Sequence, residues 1–117
     1  MLALGAATRI YLAVGATDMR KGFDGLLGLV QQRLQADPLS GHLFLFCNRP
    51  RTRLKALYWD GSGLWVMIKR LEQGTFAWPK PGRVDGVKLR LAPEAFAMLT
   101  DGIDLRGARM RPWYERE

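Results

Sequence analysis

The sequence predicts an α+β domain, with two helices packed on a mostly antiparallel sheet that contains a central hairpin. Three observations carry that expectation. Between Phe23 and Gln35 apolar residues recur at the spacing of one helix face. From His42 to Trp78 short strand-forming runs follow one another, and Asp60-Gly61-Ser62-Gly63 separates two of them as a turn. At 117 residues, 48% hydrophobic and 25% charged, the chain has the length and balance of a single domain with a modest core. The expected division is one domain over residues 1–105 and a basic tail over 106–117.

Arg9 to Val14 reads as a first strand because Ile10, Tyr11, Leu12 and Val14 supply strand-favouring bulk. Gly15 ends it, and Thr17 and Asp18 offer side-chain oxygens that can cap a helix start. The helix follows over Phe23 to Gln35, with Phe23, Leu26, Leu27, Val30 and Leu34 on one face. Gly22, Gly25 and Gly28 weaken it, at about 1 kcal/mol each against Ala in a helix interior, which points to close backbone packing or a ragged first turn. Asp37-Pro38 and Ser40-Gly41 punctuate its end.

His42 to Cys47 is a short apolar run of the kind buried on both sheet faces. Asn48 to Arg51 reads as a turn, since Pro50 is barred from a central strand. Arg53 to Trp59 and Leu64 to Arg70 are the arms of the hairpin, whose glycines can take positive φ. Thr75 to Trp78 reads as a fourth strand of this group, Pro79 to Gly86 as a loop, and Val87 to Leu91 as an edge strand. Pro93 to Leu99 is a second helix, with proline in the first turn where its missing N–H costs nothing. Trp59, Trp65 and Trp78 are expected in or beside the sheet.

Charge is what sets the composition apart. Eighteen Lys and Arg against eleven Asp and Glu give a net charge of +7, an excess that favours polyanionic partners. One cysteine, Cys47, and one histidine, His42, cannot build a Cys/His zinc site or an internal disulfide, and both are expected to be buried. No phosphate-cradling glycine motif occurs, nothing ties His42 to Ser40 or Ser62 as a catalytic pair, and no cofactor is implied. No apolar run reaches the roughly 18 residues of a membrane span, and Met1 to Ala7 lacks the features of a signal peptide, so a cytoplasmic location is expected.

Asp18, Asp60 and Glu94 are the carboxylates from which a two-metal nuclease could be imagined. Their contexts argue for local roles: a helix cap, a turn residue and a first-turn acid. The basic residues make the better site. Arg49, Arg51, Arg53 and Lys55 alternate, so an extended chain turns them to one side, with Leu57 and Trp59 continuing the same face. A basic stripe running into an aromatic suits phosphate contact with a stacking neighbour, and it equally suits a charged edge strand that resists aggregation. Lys69 and Arg70 extend the patch. Arg106, Arg109, Arg111 and Arg116 form a second cluster around Trp113 and Tyr114. Arg20 and Lys21 crowd the turn before the first helix with Asp18 and Asp24, either as local ion pairs or as a phosphate site at a helix start.

The stretch from Thr17 to Leu26 (TDMRKGFDGL) resembles the signature of the TnpB-type accessory proteins, which are encoded by the second reading frame of bacterial insertion sequences of family 66. The likeness continues through Asp37 to Phe44, Leu54 to Gly61, Lys69 to Glu72, Gly74 to Pro79 and Gly102 to Asp104, in order over roughly residues 8 to 104. The sequence departs most from the family between Lys80 and Leu91 and at Ala92-Pro93. The resemblance is to the small accessory family and not to the RNA-guided nuclease of the same name. It implies a non-catalytic role in transposition beside a separate transposase that holds the acidic catalytic residues. The partners expected are the element's transposase and its other accessory protein, from the resemblance, and DNA at the element ends, from the basic charge. Two main expectations stay open: a DNA-contacting factor using Arg20, Lys21, Arg49, Arg51, Arg53, Lys55, Trp59, Lys69 and Arg70, and an adaptor that docks on the transposase with little DNA contact.

Overall fold

The computed structural model describes residues 7–82 and 86–102, together with the backbone of 114–115. Its elements are β1 (Ile10–Ala13), α1 (Phe23–Gln32), β2 (Leu43–Cys47), β3 (Arg53–Trp59), β4 (Leu64–Arg70), β5 (Lys88–Leu91), α2 (Pro93–Thr100) and β6 (Tyr114–Glu115). Among the described residues they form one six-stranded sheet in the order β4-β3-β2-β1-β5-β6. β1 and β2 are parallel, and every other pair is antiparallel. The parallel pair follows from α1, since two strands joined through a helix can run side by side in the same direction.

Side-chain alternation divides the core into two layers. Ile10, Leu12, Val14, Leu43, Leu45 and Cys47 share one face with Ala95 and Leu99 of α2, and with Phe76 and Trp78. Tyr11, Ala13, Phe44, Phe46 and Leu57 line the other face against Leu26, Val30 and Leu34 of the α1 segment. Helices thus cover both faces, and β1 and β2 are buried along their whole length, as the apolar run at 42–47 leads one to expect. The β3–β4 hairpin closes through Asp60–Gly63, with Gly61 at φ 101°, but it is not central as expected: it lies at one side of the sheet with β4 outermost.

Four further expectations change. Thr75–Trp78 is not a strand: Phe76 N–H donates to the Arg51 carbonyl and Trp78 Nε1–H to the Ala13 carbonyl, so this segment plugs one face of the sheet. The strand at 88–91 is internal, because β6 pairs outside it and draws two residues of the expected tail into the sheet. α1 stops at Gln32 because the chain turns left-handed at Gln35, although Leu34 stays buried. Finally, Asp18 does not cap α1: the N-cap is Gly22, which has no side chain to cap with.

Candidate nucleic-acid interface

Three backbone segments meet at the end of the sheet where β3 begins and β4 ends. The loop after β1 is tied there by Thr17 N–H, which donates to the Cys47 carbonyl at 2.7 Å. The turn between β2 and β3 is built by Asn48. Its Oδ1 accepts from Thr52 N–H at 2.9 Å and Arg53 N–H at 3.1 Å, and its Nδ2 donates to Thr52 Oγ1 at 3.2 Å. Arg51 closes the turn with φ 61°, and its carbonyl takes the Phe76 N–H at 2.7 Å. The chain leaving β4 is held to the same turn by Leu71 N–H on the Thr52 carbonyl.

Cations accumulate at this end. Arg49 and Arg53 are exposed, and Arg51 and Lys21 are half-buried. Among the described residues none of these four has a carboxylate within ion-pair distance. Arg53 lies directly opposite Arg70 across the hairpin, a like-charge pairing that costs stability unless an anion lies near. Glu72 accepts from Arg70 at 2.9 Å, and no such carboxylate serves Arg53. Arg20 is 91% exposed, yet its fork grips Asp18, with Nη2 donating to Oδ2 at 2.7 Å and Nε shared between both oxygens. That grip, together with the Arg20 N–H on Oδ1, holds the Asp18 carboxyl down at about 2.

The remaining expected site residues lie elsewhere. Lys55 follows Arg53 on the same face but is buried, and its ammonium donates to the carbonyls of Met19 and Lys21, each at 2.7 Å. Lys69 projects from the opposite face of β4, with its ammonium 3.8 Å from Asp101 beyond α2. Trp59 ends β3 beside the hairpin turn, roughly 20 Å from Arg53 at about 3.3 Å per residue. Alternation from 49 to 55 therefore describes only Arg53 and Lys55, since Arg49 and Arg51 sit in a turn. Arg106, Arg109, Arg111, Trp113 and Arg116 lie outside the described residues.

The sequence reading missed Asn48 as the organiser of this end; an Asn followed two residues later by Pro is the signal that could have found it. It also missed the exposure of Phe23 and Ile68. Cys47 is fully buried, which pushes its thiol up to about 12. His42 is half-buried rather than buried, and its Nδ1 accepts from the Arg9 N–H at 3.0 Å. Among the described residues, Ser40 Oγ accepts only from the backbone N–H of His42. The carboxylates Asp18, Asp60 and Glu94 are each engaged locally or set apart on α2, and no described group of three potential ligands could hold a metal ion.

The family described as "IS66 Orf2 like protein" (TnpB_IS66) matches residues 8–110. The chain belongs to that family. Membership makes it a transposition-associated accessory protein of the IS66 type. Two curated relatives come from Sinorhizobium fredii (strain NBRC 101917 / NGR234). "Uncharacterized protein y4hO" is 40% identical over 106 residues, covering 91% of this chain and 90% of the relative. "Uncharacterized protein y4jC" is 37% identical over 112 residues, covering 96% and 93%. No solved structure matches. No helix among the described residues is long and apolar enough to cross a membrane.

Proposed function

We propose that this IS66 Orf2-like protein is a non-catalytic accessory factor, acting in the cytoplasm, that contacts DNA at the element ends through the cationic end of its sheet. The observation that supports it best is the gathering of Lys21, Arg49, Arg51 and Arg53, none with a carboxylate partner among the described residues, at the end of the sheet where Arg70, paired with Glu72, faces Arg53. A cluster of like charges on rigid backbone is unfavourable alone and becomes favourable when phosphates release their counterions to it. Arg20 lies at the rim with its charge offset by Asp18, and joins the contact only where phosphate replaces that carboxylate. Trp59 and Lys69 are left out of the contact surface by their positions, and the element's transposase and other accessory protein remain its protein partners.

Salt dependence tests this. Four phosphate contacts imply a log–log slope of about −3.6 for B-DNA, at roughly −0.9 per contact. Replacing Arg51 with Gly, which suits the left-handed backbone there, and Arg53 with Ala should reduce the magnitude of the slope by about two units. At about 150 mM salt, element-end DNA should outcompete scrambled DNA. Equal binding to both, with a mutant slope matching wild type, defeats the reading.

A second reading is favoured by a separate observation. On β4, the outermost of the described strands, Ile68 is 63% exposed and Trp65 45% exposed, large apolar groups on opposite faces of an edge that no other described strand pairs with. Such an edge is a site for strand addition by a protein partner. An adaptor of this kind would bind the transposase tightly and independently of salt, and Ile68→Ser, which adds no charge beside Arg70, would weaken that binding while leaving the DNA slope intact.

A further inference from the structure

Lys55 is a cation placed where its charge reaches no carboxylate among the described residues. It sits in mid-strand on β3 and only 9% of it is exposed. Burying an ammonium is costly unless its donors are satisfied, and here both known acceptors are main-chain carbonyls of one loop, those of Met19 and Lys21. These partners are 36 and 34 residues away in sequence. The contact therefore fixes one segment of the chain relative to another, where an apolar side chain at 55 would only have filled space.

What it fixes is the loop that carries Arg20 and Lys21. A second observation concerns the same lysine: the stem of Lys21 lies over Gly25, with its Cβ and Cγ 3.0 and 3.1 Å from where a side-chain carbon at 25 would be. The Lys21 carbonyl is held from below by Lys55, and its side-chain stem rests on the first turn of α1. On the other side, Lys55 neighbours Arg53 on the same face of β3, and Arg53 faces Arg70. We propose that Lys55 is a positioning residue that joins the loop cation Lys21 to the hairpin cations Arg53 and Arg70, making one phosphate-binding surface from segments distant in sequence. The proposal rests on the DNA reading above and adds to it the means by which the surface is assembled.

A double-mutant cycle on the full chain tests it, with duplex element-end DNA as the probe. Lys21→Ala should lower the magnitude of the salt slope by about one unit, at roughly 0.9 per contact. Lys55→Met keeps the stem and removes the donors; it should lower the slope equally, and the double variant should fall no further than either. Lys55→Arg, which retains charge and donors, should recover part of the loss. In Lys55→Met without DNA, the backbone amides of Arg20 and Lys21 should exchange faster, while those of β3 and β4 do not. Independent, additive losses from Lys21→Ala and Lys55→Met would mean that Lys55 acts only through its own charge, and the proposal fails. An unchanged slope in Lys55→Met fails it too. If Lys55→Met does not fold, acetylation of the wild-type protein decides. DNA should protect Lys21 over the concentration range that saturates binding, whereas Lys55 should be unreactive from the start; a Lys21 left unprotected, or a reactive Lys55, overturns the proposal. Wild-type protein that shows no salt-dependent binding removes the DNA reading itself, whereas normal wild-type binding with an insensitive Lys55→Met removes this inference alone.

Discussion

The two ends of the β3–β4 hairpin use charge in opposite ways. At the closed end a single carboxylate serves its own turn. Asp60 Oδ1 accepts from Ser62 N–H at 2.8 Å, Gly63 N–H at 2.9 Å and Ser62 Oγ at 3.0 Å, and Oδ2 accepts from Trp65 Nε1–H at 2.8 Å. Four donors from its own hairpin converge on that one carboxylate. At the open end the scaffold is neutral, built by the amide of Asn48 and by backbone bonds from Leu71 and Phe76, and Arg49 and Arg53 are exposed around it. A charge consumed by its own backbone explains a fold. Charges held on a neutral scaffold with no carboxylate partner among the described residues, as at Arg49, Arg51 and Arg53, are available to something else.

The largest expected effect comes from removing that neutral scaffold. Asn48→Ala leaves the Thr52 and Arg53 N–H groups and the Thr52 hydroxyl without their shared partner, at a cost of about 1–3 kcal/mol. Denaturant unfolding should show that loss, and DNA binding should weaken as well, since Arg51 and Arg53 leave their set positions. A variant that loses stability while keeping its full salt slope would separate the turn from the cationic surface and break the comparison.

Much of this architecture was legible in the sequence, and the failures have physical causes. Strands at 53–59 and 64–70 agree with the observed bounds because strand-forming residues and a Gly-containing turn act locally. The buried run at 43–47 was legible for the same reason. Phe76 and Trp78 misled: both are buried, as strand alternation requires, yet their backbone meets a turn and not a ladder. Alternation also gave the side on which Lys55 lies but not its depth, which depends on a loop 34–36 residues away folding over it. The same holds for the proposed joining of Lys21 to Arg53 and Arg70 through Lys55. Pattern reading recovers what neighbours in sequence decide, whereas the candidate site is made by contacts between segments.

A smaller effect is expected at the closed end, and it depends on pH. Hydrogen bonds from Ser62, Trp65 and Gly63 hold the Asp60 carboxyl well below the usual carboxylate range. A group whose pKa is depressed by folding stabilises the native state above its unfolded pKa, near 4, and ceases to do so as pH falls toward its folded value. Asp60→Asn should therefore lower the thermal midpoint at neutral pH, and the gap to wild type should narrow steadily below about pH 4. The salt slope for DNA should be unchanged, because no cation of the proposed surface lies at that end. A loss of DNA affinity in this variant would mean that the two ends are not functionally distinct.

The smallest effects separate two glycines of α1 one turn apart. Gly28 has open space where a side-chain carbon would go, so Gly28→Ala gains helix propensity with nothing to displace, a stabilisation of up to about 1 kcal/mol. Gly25→Ala makes the same propensity gain but meets the stem of Lys21 at 3.0 Å. That stem is flexible, so the stability change should be smaller than at 28, not reversed; what must move is the lysine. The pair thus gives a matched comparison in which helix propensity is shared and only the position of Lys21 differs. Gly28→Ala should raise the unfolding midpoint and leave DNA binding as it was, whereas Gly25→Ala should show a smaller gain together with weaker binding. If both bind DNA like wild type, the set of the Lys21 stem does not matter to the surface, and the open end owes its affinity to the hairpin and turn arginines alone.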